Sequence, residues 1–413
     1  MDAMDAFKPT LKKLSLGETL SASEATTAFE LILNGQASES QIGGFLMALQ
    51  QRGETVEEIT AGAQIMRKHA LSVKVPTHAI DTCGTGGDGG GTYNISTAVA
   101  IIVAACGAHV AKHGSKALSS KSGSSEVLEA LGVRLDLKPA ALETCIEEVG
   151  ICFLFALNHH SAMRHVGPSR QALGFRTVFN LLGPLSNPAS ANRQLLGVYD
   201  QRWVEPLAHV LKKLGSERAW VVHGSDGLDE LTTTGPSTVA ELRTGVVTMF
   251  EVTPEEAGLP RAKSADLVGG TPAENAVAMQ ELFEGKETAY RDIVLLNAAA
   301  ALCVSNKANN LREGVDMAAL AIDDGGAKKT LAQLVKTSDW GDNMSDPKDI
   351  LAHITAYKLQ EIAAAKAARP YAQVRAQAEA AQNDNPTRGF LAALHKAKAE
   401  ARPGLIAEIK KSS

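Results

Sequence analysis

Residues 5–72 carry apolar side chains at helical spacing, separated by short polar stretches. Residues 21–24 (SASE) and 55–58 (TVEE) place a serine or threonine three residues before a glutamate, a pattern that begins many helices. A further helix is predicted to open at Ser40. The helical pattern breaks at Val75 and Pro76, so the preceding residues are predicted to form a small helical domain.

Beyond residue 75 the pattern changes to short apolar runs that alternate with helical stretches. This alternation is typical of α/β domains built on a mainly parallel sheet. The predicted strands cover residues 79–81, 108–111, 152–156, 195–199 and 219–223, with antiparallel strands within 238–252, and the predicted helices cover residues 95–106, 124–131 and 273–322.

Two further changes in the pattern divide the chain. Residues 158–190 return to helix and loop punctuated by prolines, which predicts that they complete the N-terminal helical domain. Near Trp340 the sequence becomes polar and rich in Ala, Lys, Glu and Gln. We therefore predict a helical domain over residues 1–74 completed by about 160–190, an α/β domain over 75–340, and a helical extension over 341–413.

Composition and charge exclude several classes of protein. A formal net charge of -5 provides no general basic field for nucleic acid or an acidic membrane. Five cysteines without C-x-x-C spacing argue against a zinc ribbon or a disulfide framework and favour a reducing compartment. The N-terminus lacks an apolar signal core, and the longest purely apolar run, residues 98–106, is too short to span a bilayer. A soluble cytoplasmic protein is expected.

A glycine-rich segment between a predicted strand and a predicted helix is the first candidate for chemistry. Residues 84–91 contain six glycines in eight positions, which leaves backbone amides free to approach a ligand closely. Asn94, Ser96 and Thr97 follow at the start of the helix, where side-chain oxygens cap the helix and its dipole favours an anion. The segment is typical of a phosphate-binding loop.

Three other interpretations of this segment are weaker. Residues 84–89 match G-x-G-x-x-G, but the position about 20 residues beyond carries His109 rather than the acid of a dinucleotide site. No G-K-[ST] ending supports a P-loop. A simple flexible turn needs one or two glycines, not six.

A second anion-binding segment follows the next predicted strand. Residues 112–116 (KHGSK) place two lysines around a glycine and a serine, at the edge where α/β sheets bind ligands. Lys112 is the candidate ligand, whereas His113 taken alone is interpreted as a loop histidine with satisfied hydrogen bonds. More hydroxyls lie just downstream, at Ser119, Ser120, Ser122, Ser124 and Ser125.

An acidic pair supplies a candidate metal site. Asp229 and Glu230 follow a later strand, and adjacent carboxylates in a loop can hold Mg²⁺ together with water and phosphate oxygens. Such a pair taken alone is more often simply solvated. Two phosphate-type loops, a lysine and an acidic pair imply a polyphosphate substrate with magnesium, and they leave the second substrate open.

Arginines and histidines between residues 158 and 170 offer two more interpretations. Arg164 and Arg170 are candidates for binding a planar carboxylate, although each could equally be a surface arginine. His159 and His160 suggest zinc, but no third ligand stands at a recognisable spacing. Zinc is therefore not favoured.

These motifs occur together, in the same order, in a known family. Over residues 5 to about 335 the chain resembles the anthranilate phosphoribosyltransferases, enzymes of tryptophan biosynthesis. The resemblance implies a mostly helical N-terminal domain, an α/β domain of the nucleoside phosphorylase and phosphoribosyltransferase type, and a homodimer formed through the N-terminal helices. The motifs that carry it are GTGGD at 84–88, NIST at 94–97, KHG at 112–114, SSKSG at 119–123, PSR at 168–170, NLLGPL at 180–185 and LDE at 228–230.

The resemblance implies a role for each matching position in one site. Two magnesium ions would be held by Ser96, Asp229 and Glu230. Anthranilate would contact Gly84, Ser115 and Arg170. Phosphoribosyl pyrophosphate would contact Gly84, Gly87, Asp88, Thr92, Asn94, Ile95, Ser96, Thr97, Lys112, His113, Gly114, Ser115, Lys116, Ser119, Ser120 and Ser124.

The chain departs from the family at one point of this site. Ser115 and Lys116 stand where the family usually has Asn-Arg, and the family's Asn contacts anthranilate, so the hydroxyl of Ser115 has a shorter reach for that role. No catalytic acid or base is implied, because the amine nucleophile is already neutral. Binding, positioning and electrostatic stabilisation would carry the reaction.

The tail resembles a different family. Residues 346–351, 386–390 and 406–412 look like the start of indole-glycerol-phosphate synthase, a (β/α)₈ barrel that would need seven more strands to close. Glu408 and Lys410 match positions that are functional in that family. We predict no synthase activity and favour a helical extension without chemistry of its own.

Two other functions stay open from the sequence. A related pyrimidine nucleoside phosphorylase would also use an anion loop with a lysine, but would bind inorganic phosphate and would not need Asp229 and Glu230 for metal. An inactive homologue or fusion would use its helical tail to dock a partner.

Overall fold

A computed structural model describes residues 3–86, 91–116, 122–340, 347–384 and 395–396. The chain forms two units, Met1–Asp342 and Asn343–Ser413. The first unit contains four N-terminal helices, a seven-stranded sheet and the helices that cover it. In its described residues the second unit is helical.

Capping boxes begin three of the four N-terminal helices. Ser21, Ser38 and Thr55 each accept a hydrogen bond from the backbone three residues later, and the Glu or Gln at that position returns one. The third helix begins at Glu39, one residue before the predicted Ser40, because Ser38 caps it. The four helices are α1 (Ala3–Ser15), α2 (Ala22–Leu33), α3 (Glu39–Arg52) and α4 (Val56–His69).

The sheet has the strand order β3-β2-β1-β4-β5-β6-β7. Its first five strands are parallel, and the last two form an antiparallel edge. The strands are β1 (Ile80–Gly84), β2 (Val110–Gly114), β3 (Ile151–Phe155), β4 (Arg193–Gly197), β5 (Arg218–Gly224), β6 (Ser237–Arg243) and β7 (Val246–Val252).

Helices connect the strands and complete the first unit. Three short 3-10 helices, Ser161–His165, Gln201–Trp203 and Ser264–Leu267, lie between them. The α-helices are α5 (Ile95–Ala105), α6 (Ser124–Ala130), α7 (Pro139–Val149), α8 (Ala156–His159), α9 (Gly167–Leu173), α10 (Val178–Leu185), α11 (Val204–Lys213), α12 (Pro272–Phe283), α13 (Ala289–Val304), α14 (Leu311–Asp323) and α15 (Gly326–Trp340).

The sheet separates two hydrophobic cores. Neighbouring strand residues face opposite sides, so Leu195 packs in one core and Leu196 in the other. One core contains α5 and α13, which are buried nearly all round and are rich in Ala, Ile and Val. The other joins the N-terminal helices to α10, α11 and the opposite face of the sheet. Small side chains let these helices pack closely, which fits the 4% aromatic content.

The predicted fold class is confirmed: a small, mainly helical N-terminal part, an α/β part with a mainly parallel sheet, and a helical extension. The helical stretch predicted over residues 273–322 consists of three helices, α12, α13 and α14. Two helices that no prediction specified, α7 and α11, lie between strands. Strand ends differ from the prediction by one to a few residues, because strand length depends on pairing with neighbours.

The second unit contains α16 (Pro347–Ala368) and α17 (Tyr371–Asp384). Leu359, Ile362, Tyr371 and Val374 are large apolar side chains that lie exposed on these helices. Glu408 and Lys410 lie outside the described residues, as do residues 386–390 and 406–412, on which the predicted resemblance of the tail depends. In the described part of the chain, no helix is long and apolar enough to cross a membrane.

Candidate active site

The strand order creates a crevice between β1 and β4. The chain leaves β1 towards β2 on one side and leaves β4 towards β5 on the other, so their carboxyl ends form a switch point of the kind that binds ligands in open α/β sheets. Gly84 ends β1 and pairs in register with Gly197, which ends β4. The glycine-rich segment therefore begins at the floor of this crevice.

Asp229 occupies this crevice. Its Oδ2 accepts a hydrogen bond of 2.7 Å from the backbone amide of Gly86. A Cβ added to Gly84 would overlap the Asp229 carboxylate, and one added to Gly197 would overlap the Asp229 carbonyl oxygen. The two glycines thus form a notch that admits Asp229, and Asp229 contacts the glycine-rich segment at Gly86.

Lys112, in β2, extends its side chain towards the crevice between β1 and β4. Its side chain is 2% exposed, and its Nζ donates to the Thr82 carbonyl oxygen and, at 3.3 Å, to Ser96 Oγ. Burial lowers the pKa of Lys112, and the negative charges of Asp81, Glu230 and Asp229 oppose that shift. The predicted ligands Ser96, Lys112, Asp229 and Glu230 are therefore brought together, although they come from three different segments of the chain.

A buried carboxylate, Asp81, provides a negative charge near the Lys112 ammonium. Asp81 is 1% exposed and accepts hydrogen bonds from the His113 amide at 3.0 Å and from Asn187 Nδ2 at 2.8 Å. Burial raises the pKa of Asp81, while the Lys112 ammonium acts in the opposite direction. Asn187 also donates to the Ala111 carbonyl oxygen at 2.8 Å, so β1, β2 and the loop after α10 are joined.

Asn94 has a different local role from the one predicted. It precedes α5, but its side chain makes no capping hydrogen bond. Its Oδ1 instead accepts from Ser122 Oγ at 3.0 Å and from Asn275 Nδ2 at 2.9 Å, and its carbonyl oxygen accepts from the Tyr290 hydroxyl at 3.4 Å. Asn94 therefore joins both predicted anion loops to α12 and α13.

The first turn of α5 holds three of the predicted positions, and Thr92 lies shortly before it. Ile95 and Thr97 are buried, so their side chains pack in the core and only their backbone can face a ligand at the helix start. Ser96 is half-buried and directs its hydroxyl to Lys112. Thr92 forms an isolated antiparallel bridge with Val268, which anchors the segment after the glycines.

The second anion segment closes tightly on α6. A Cβ on Gly114 would meet Ser124 Oγ and the Phe153 ring. Ser124 donates to the Ser115 carbonyl oxygen at 3.4 Å, and the side chains of Ser115 and Lys116 are exposed. Gly114 is thus required where β2 passes α6, and Ser115 begins the exposed part of the segment.

His113 is not the satisfied loop histidine of the sequence interpretation. It lies in β2, is 5% exposed, and its Nε2 has no hydrogen-bond partner within the described part of the chain. Its ring centroid is 5.2 Å from that of His160. Burial, reinforced by His160 and His159, lowers the pKa of His113 well below its usual value. The interpretation was wrong because sequence spacing alone does not show that a strand continues beyond its apolar residues.

The two arginines of the carboxylate hypothesis are in different environments. Arg164 is exposed in the 3-10 helix Ser161–His165. Arg170 is half-buried in α9, with Nη2 3.4 Å from Asn180 Oδ1 and its guanidinium 5.8 Å from the Phe179 ring centroid. Burial lowers the pKa of Arg170. Of the two, Arg170 is the arginine held in a defined position.

Four predicted positions, Gly87, Asp88, Ser119 and Ser120, lie outside the described residues. Among the residues that are described, no group of three or more His, Cys, Asp or Glu side chains is arranged to hold a metal ion. The predicted magnesium site instead combines two carboxylates with the Ser96 hydroxyl. These are the hard oxygen donors that Mg²⁺ prefers, and a set of three leaves room for water and phosphate oxygens, so the donor set fits.

The sequence matches two parts of a glycosyl transferase family. Its helical bundle domain matches residues 8–70 and its a/b domain matches residues 76–328. An anthranilate phosphoribosyltransferase of Parvibaculum lavamentivorans is 58% identical over 341 residues, covering 83% of this chain and 100% of that protein. The chain belongs to the anthranilate phosphoribosyltransferase family. It is therefore a transferase, and another family member, from Rhodospirillum rubrum, is 60% identical over 329 residues, covering 80% of this chain and 95% of that protein.

Solved structures of family members have the same fold. The enzyme of Thermus thermophilus matches with a TM-score of 0.76 at 43% identity, covering 82% of this chain and 100% of its own. The Saccharomyces cerevisiae enzyme in complex with PRPP and Mg matches with a TM-score of 0.75 at 29% identity, covering 81% and 98%. A further structure of the yeast enzyme contains 4-fluoroanthranilate, with a TM-score of 0.74 at 27% identity and the same coverage.

Several residues of the site were missed by sequence reasoning. Gly197 ends an ordinary apolar strand, and nothing around it in the sequence indicates that a carboxylate loop will press against it. Asn187, Asn275 and Asn297 are polar residues in or beside apolar stretches, which is a signal, because buried amides need partners. A buried amide in the sequence therefore predicts that it has a hydrogen-bond partner, but only the fold shows which residue that partner is.

Proposed function

We propose that this chain transfers the phosphoribosyl group of phosphoribosyl pyrophosphate to the amine of anthranilate, giving N-(5-phosphoribosyl)anthranilate and pyrophosphate, in tryptophan biosynthesis. The observation that carries the proposal is the position of Asp229 in the β1–β4 crevice, bound to Gly86 and close to Lys112 and Ser96. This arrangement favours the transferase over a nucleoside phosphorylase, because it brings an acidic pair to the phosphate loop.

We infer that both anion segments line the phosphoribosyl pyrophosphate site. The hydrogen bond from Ser122 to Asn94 supports this inference, because it joins the residues that follow the glycine-rich segment to those that follow residues 112–116. The start of α5 presents backbone amides to an anion, aided by the helix dipole. The proposed contacts are Gly84, Gly87, Asp88, Thr92, Asn94, Ile95, Ser96, Thr97, Lys112, His113, Gly114, Ser115, Lys116, Ser119, Ser120 and Ser124.

The residues of the crevice act on the leaving group. Pyrophosphate departs from C1 of the ribose with its electron pair, and the Lys112 ammonium and the backbone amides stabilise the negative charge that it gains. Magnesium, when bound, would neutralise the same phosphate oxygens. Ser96, Asp229 and Glu230 are the proposed holders, for two ions per site, since the substrate itself supplies further oxygen ligands.

The anthranilate side of the site rests on Arg170, Gly84 and Ser115. Arg170 is half-buried, and a guanidinium with reduced hydration binds a carboxylate more strongly than an exposed one does. The aromatic amine is neutral and needs only to be held in line with C1, after which it loses a proton to solvent. Burial lowers the pKa of His113, which makes its imidazole a poor proton acceptor, so His113 is not assigned as a base in this proposal.

The assay for this function follows the loss of anthranilate fluorescence in the presence of phosphoribosyl pyrophosphate and magnesium. We expect turnover that stops when a chelator removes the metal. Absence of turnover with this substrate pair would eliminate the proposal. A phosphate-dependent nucleoside cleavage assay would then separate the phosphorylase from an inactive homologue.

Replacing Arg170 with alanine tests the carboxylate contact. We expect the KM for anthranilate to rise by roughly 10- to 100-fold, because a charge-assisted bidentate contact contributes about 1.5–3 kcal/mol, with a much smaller change for phosphoribosyl pyrophosphate. Steady-state kinetics with each substrate varied in turn measures the two KM values separately. Arg164→Ala, at an exposed arginine, is the matched control and should leave both constants unchanged. Equal effects of R170A on both substrates would remove the assignment.

We also propose that the chain works as a cytoplasmic homodimer. The resemblance implies contact through the N-terminal helices, and Leu16 and Met47, in or beside these helices, are large apolar side chains that are 68% and 45% exposed. Light scattering of the purified chain tests the dimer. All five cysteines are free thiols, which fits a reducing compartment.

We propose that the domain bounds follow the sequence pattern, with a helical domain over residues 1–74 completed by about 160–190, an α/β domain over 75–340, and a helical extension over 341–413. Two observations support it: the family domains match residues 8–70 and 76–328, and the chain divides into units at Asp342 and Asn343.

Deleting residues 344–413 tests the role of the extension. We expect kcat and both KM values to stay within about twofold, because every proposed ligand lies before residue 231 and the first unit has its own two cores. Steady-state assays and thermal unfolding of the truncated and full chains make the comparison. A large loss of activity with an unchanged melting temperature would show that the extension belongs to the working site.

A further inference from the structure

A buried asparagine holds the loop that carries the acidic pair. Asn297 lies in α13 and is 0% exposed. Its Oδ1 accepts from the Leu231 amide at 2.9 Å, and its Nδ2 donates to the Leu231 carbonyl oxygen at 2.8 Å. The carboxamide thus binds both backbone polar groups of the residue that directly follows Glu230, as a neighbouring β-strand would.

This amide is itself rigidly held. Asn297 Nδ2 also donates to the Ile293 carbonyl oxygen of its own helix at 2.9 Å, so each amide hydrogen has a partner. α13 is buried along almost its whole length and packs against α5 and under the sheet. A carboxamide fixed in this way holds the backbone of Leu231 in place, because a buried amide that loses its partner has no water to replace it.

The opposite side of the loop that carries Asp229 and Glu230 lies against the notch formed by Gly84 and Gly197. The Asp229 backbone lies against Gly197 and its carboxylate lies against Gly84 and the Gly86 amide. Further along, the Thr232 amide donates to Ser237 Oγ at 2.9 Å. Asp229 and Glu230 therefore lie in a short loop that contacts β1 and β4 on one side and Asn297 on the other.

We propose that Asn297 is a positioning residue for Asp229 and Glu230, which sets the geometry and hence the affinity of the magnesium–phosphoribosyl pyrophosphate site. The proposal rests on the proposed function, because it requires that Asp229 and Glu230 hold the metal. Residues that orient metal ligands commonly change metal affinity by about 10- to 100-fold when they are replaced. Asn297 touches neither substrate and has no role in the chemical step.

Asn297→Leu and Asn297→Asp in the full-length chain test the proposal. Leucine fills a similar volume without any polar atom, whereas aspartate keeps the acceptor for the Leu231 amide and loses both Nδ2 donors. We expect the magnesium concentration for half-maximal activity and the KM for phosphoribosyl pyrophosphate to rise by about 10-fold or more in N297L, and less in N297D. The KM for anthranilate should stay within about twofold.

Hydrogen exchange of the unliganded protein gives a readout that is independent of catalysis. We expect the Leu231 amide to lose protection in N297L and to keep most of it in N297D, which retains the acceptor, while amides of β1 and β4 keep theirs in both variants. Ser338→Ala is the matched control for loss of a buried polar side chain: Ser338 accepts from the Arg134 amide at 3.1 Å and is 0% exposed. That variant should lower the melting temperature without changing magnesium dependence.

The outcomes separate the two proposals. If N297D and N297L lower stability but leave magnesium dependence unchanged, or raise all KM values equally, Asn297 is only a core residue and the inference is overturned. If N297L does not fold, N297D alone decides on the same criteria. If Asp229→Asn leaves magnesium dependence unchanged, the metal assignment itself fails, whatever the Asn297 variants do.

Discussion

Gly197→Ala is expected to reduce kcat/KM by roughly 100- to 1,000-fold, because a displacement of about 1 Å at a catalytic loop can cost 100-fold or more. The added Cβ would overlap the Asp229 carbonyl oxygen, which belongs to the backbone and cannot rotate away. Gly197 lies in a strand and is not among the glycines with positive φ, so the effect is steric rather than conformational. Steady-state kinetics at saturating magnesium measures it.

The control for Gly197→Ala is a glycine whose replacement overpacks the protein away from the crevice. A Cβ on Gly62, in α4, would meet the side chains of Leu182 and Phe29. Gly62→Ala should lower stability by about 1–3 kcal/mol with little change in kcat/KM of the folded enzyme. Full activity of Gly197→Ala would show that the notch does not position Asp229.

Lys112→Met is expected to have an effect of similar size, a loss of roughly 100- to 1,000-fold in kcat/KM, because removing one preorganised group that stabilises developing charge has that cost. The chain length is kept, but the ammonium that bonds Ser96 and the Thr82 carbonyl oxygen is lost. Stability should fall as well, since the buried Asp81 carboxylate loses its counter-charge. Kinetics and thermal unfolding measure the two effects.

A second substitution separates these two effects of Lys112→Met. In the double variant K112M/D81N neither buried charge remains, so much of the lost stability should return. Activity should stay low, because the leaving pyrophosphate still lacks its cation. Recovery of activity together with stability would show that Lys112 serves the fold rather than the reaction.

The candidate site residues could be predicted from the sequence, because phosphate and magnesium sites need particular residue types at fixed local spacing. Six glycines in eight positions, a lysine at a strand end and adjacent carboxylates were found in this way. The association of Asp229 with Gly86 spans 143 residues and follows no local spacing. Sequence reasoning therefore found the components of the site, while their joining relied on family resemblance.

The misassigned residues share a physical cause. Asn94 was expected to cap α5, but Ser122 and Asn275 compete for its side chain, and these contacts come from other elements. His113 was expected in a loop, but β2 continues to Gly114 because β3 pairs with it along that length. In each case a long-range partner overrode a sound local expectation.

The sequence by itself determined the class of fold and the helix starts at Ser21 and Thr55, and it predicts a phosphate-binding role for the glycine-rich segment. Hydrophobic period, capping chemistry and glycine content are local properties, so they can be read along the chain. Only the tertiary structure decided that Gly197 and Asn297 hold the Asp229 loop between them. One acts through an absent side chain and the other through a buried amide, and either role exists only once strands and helices have packed.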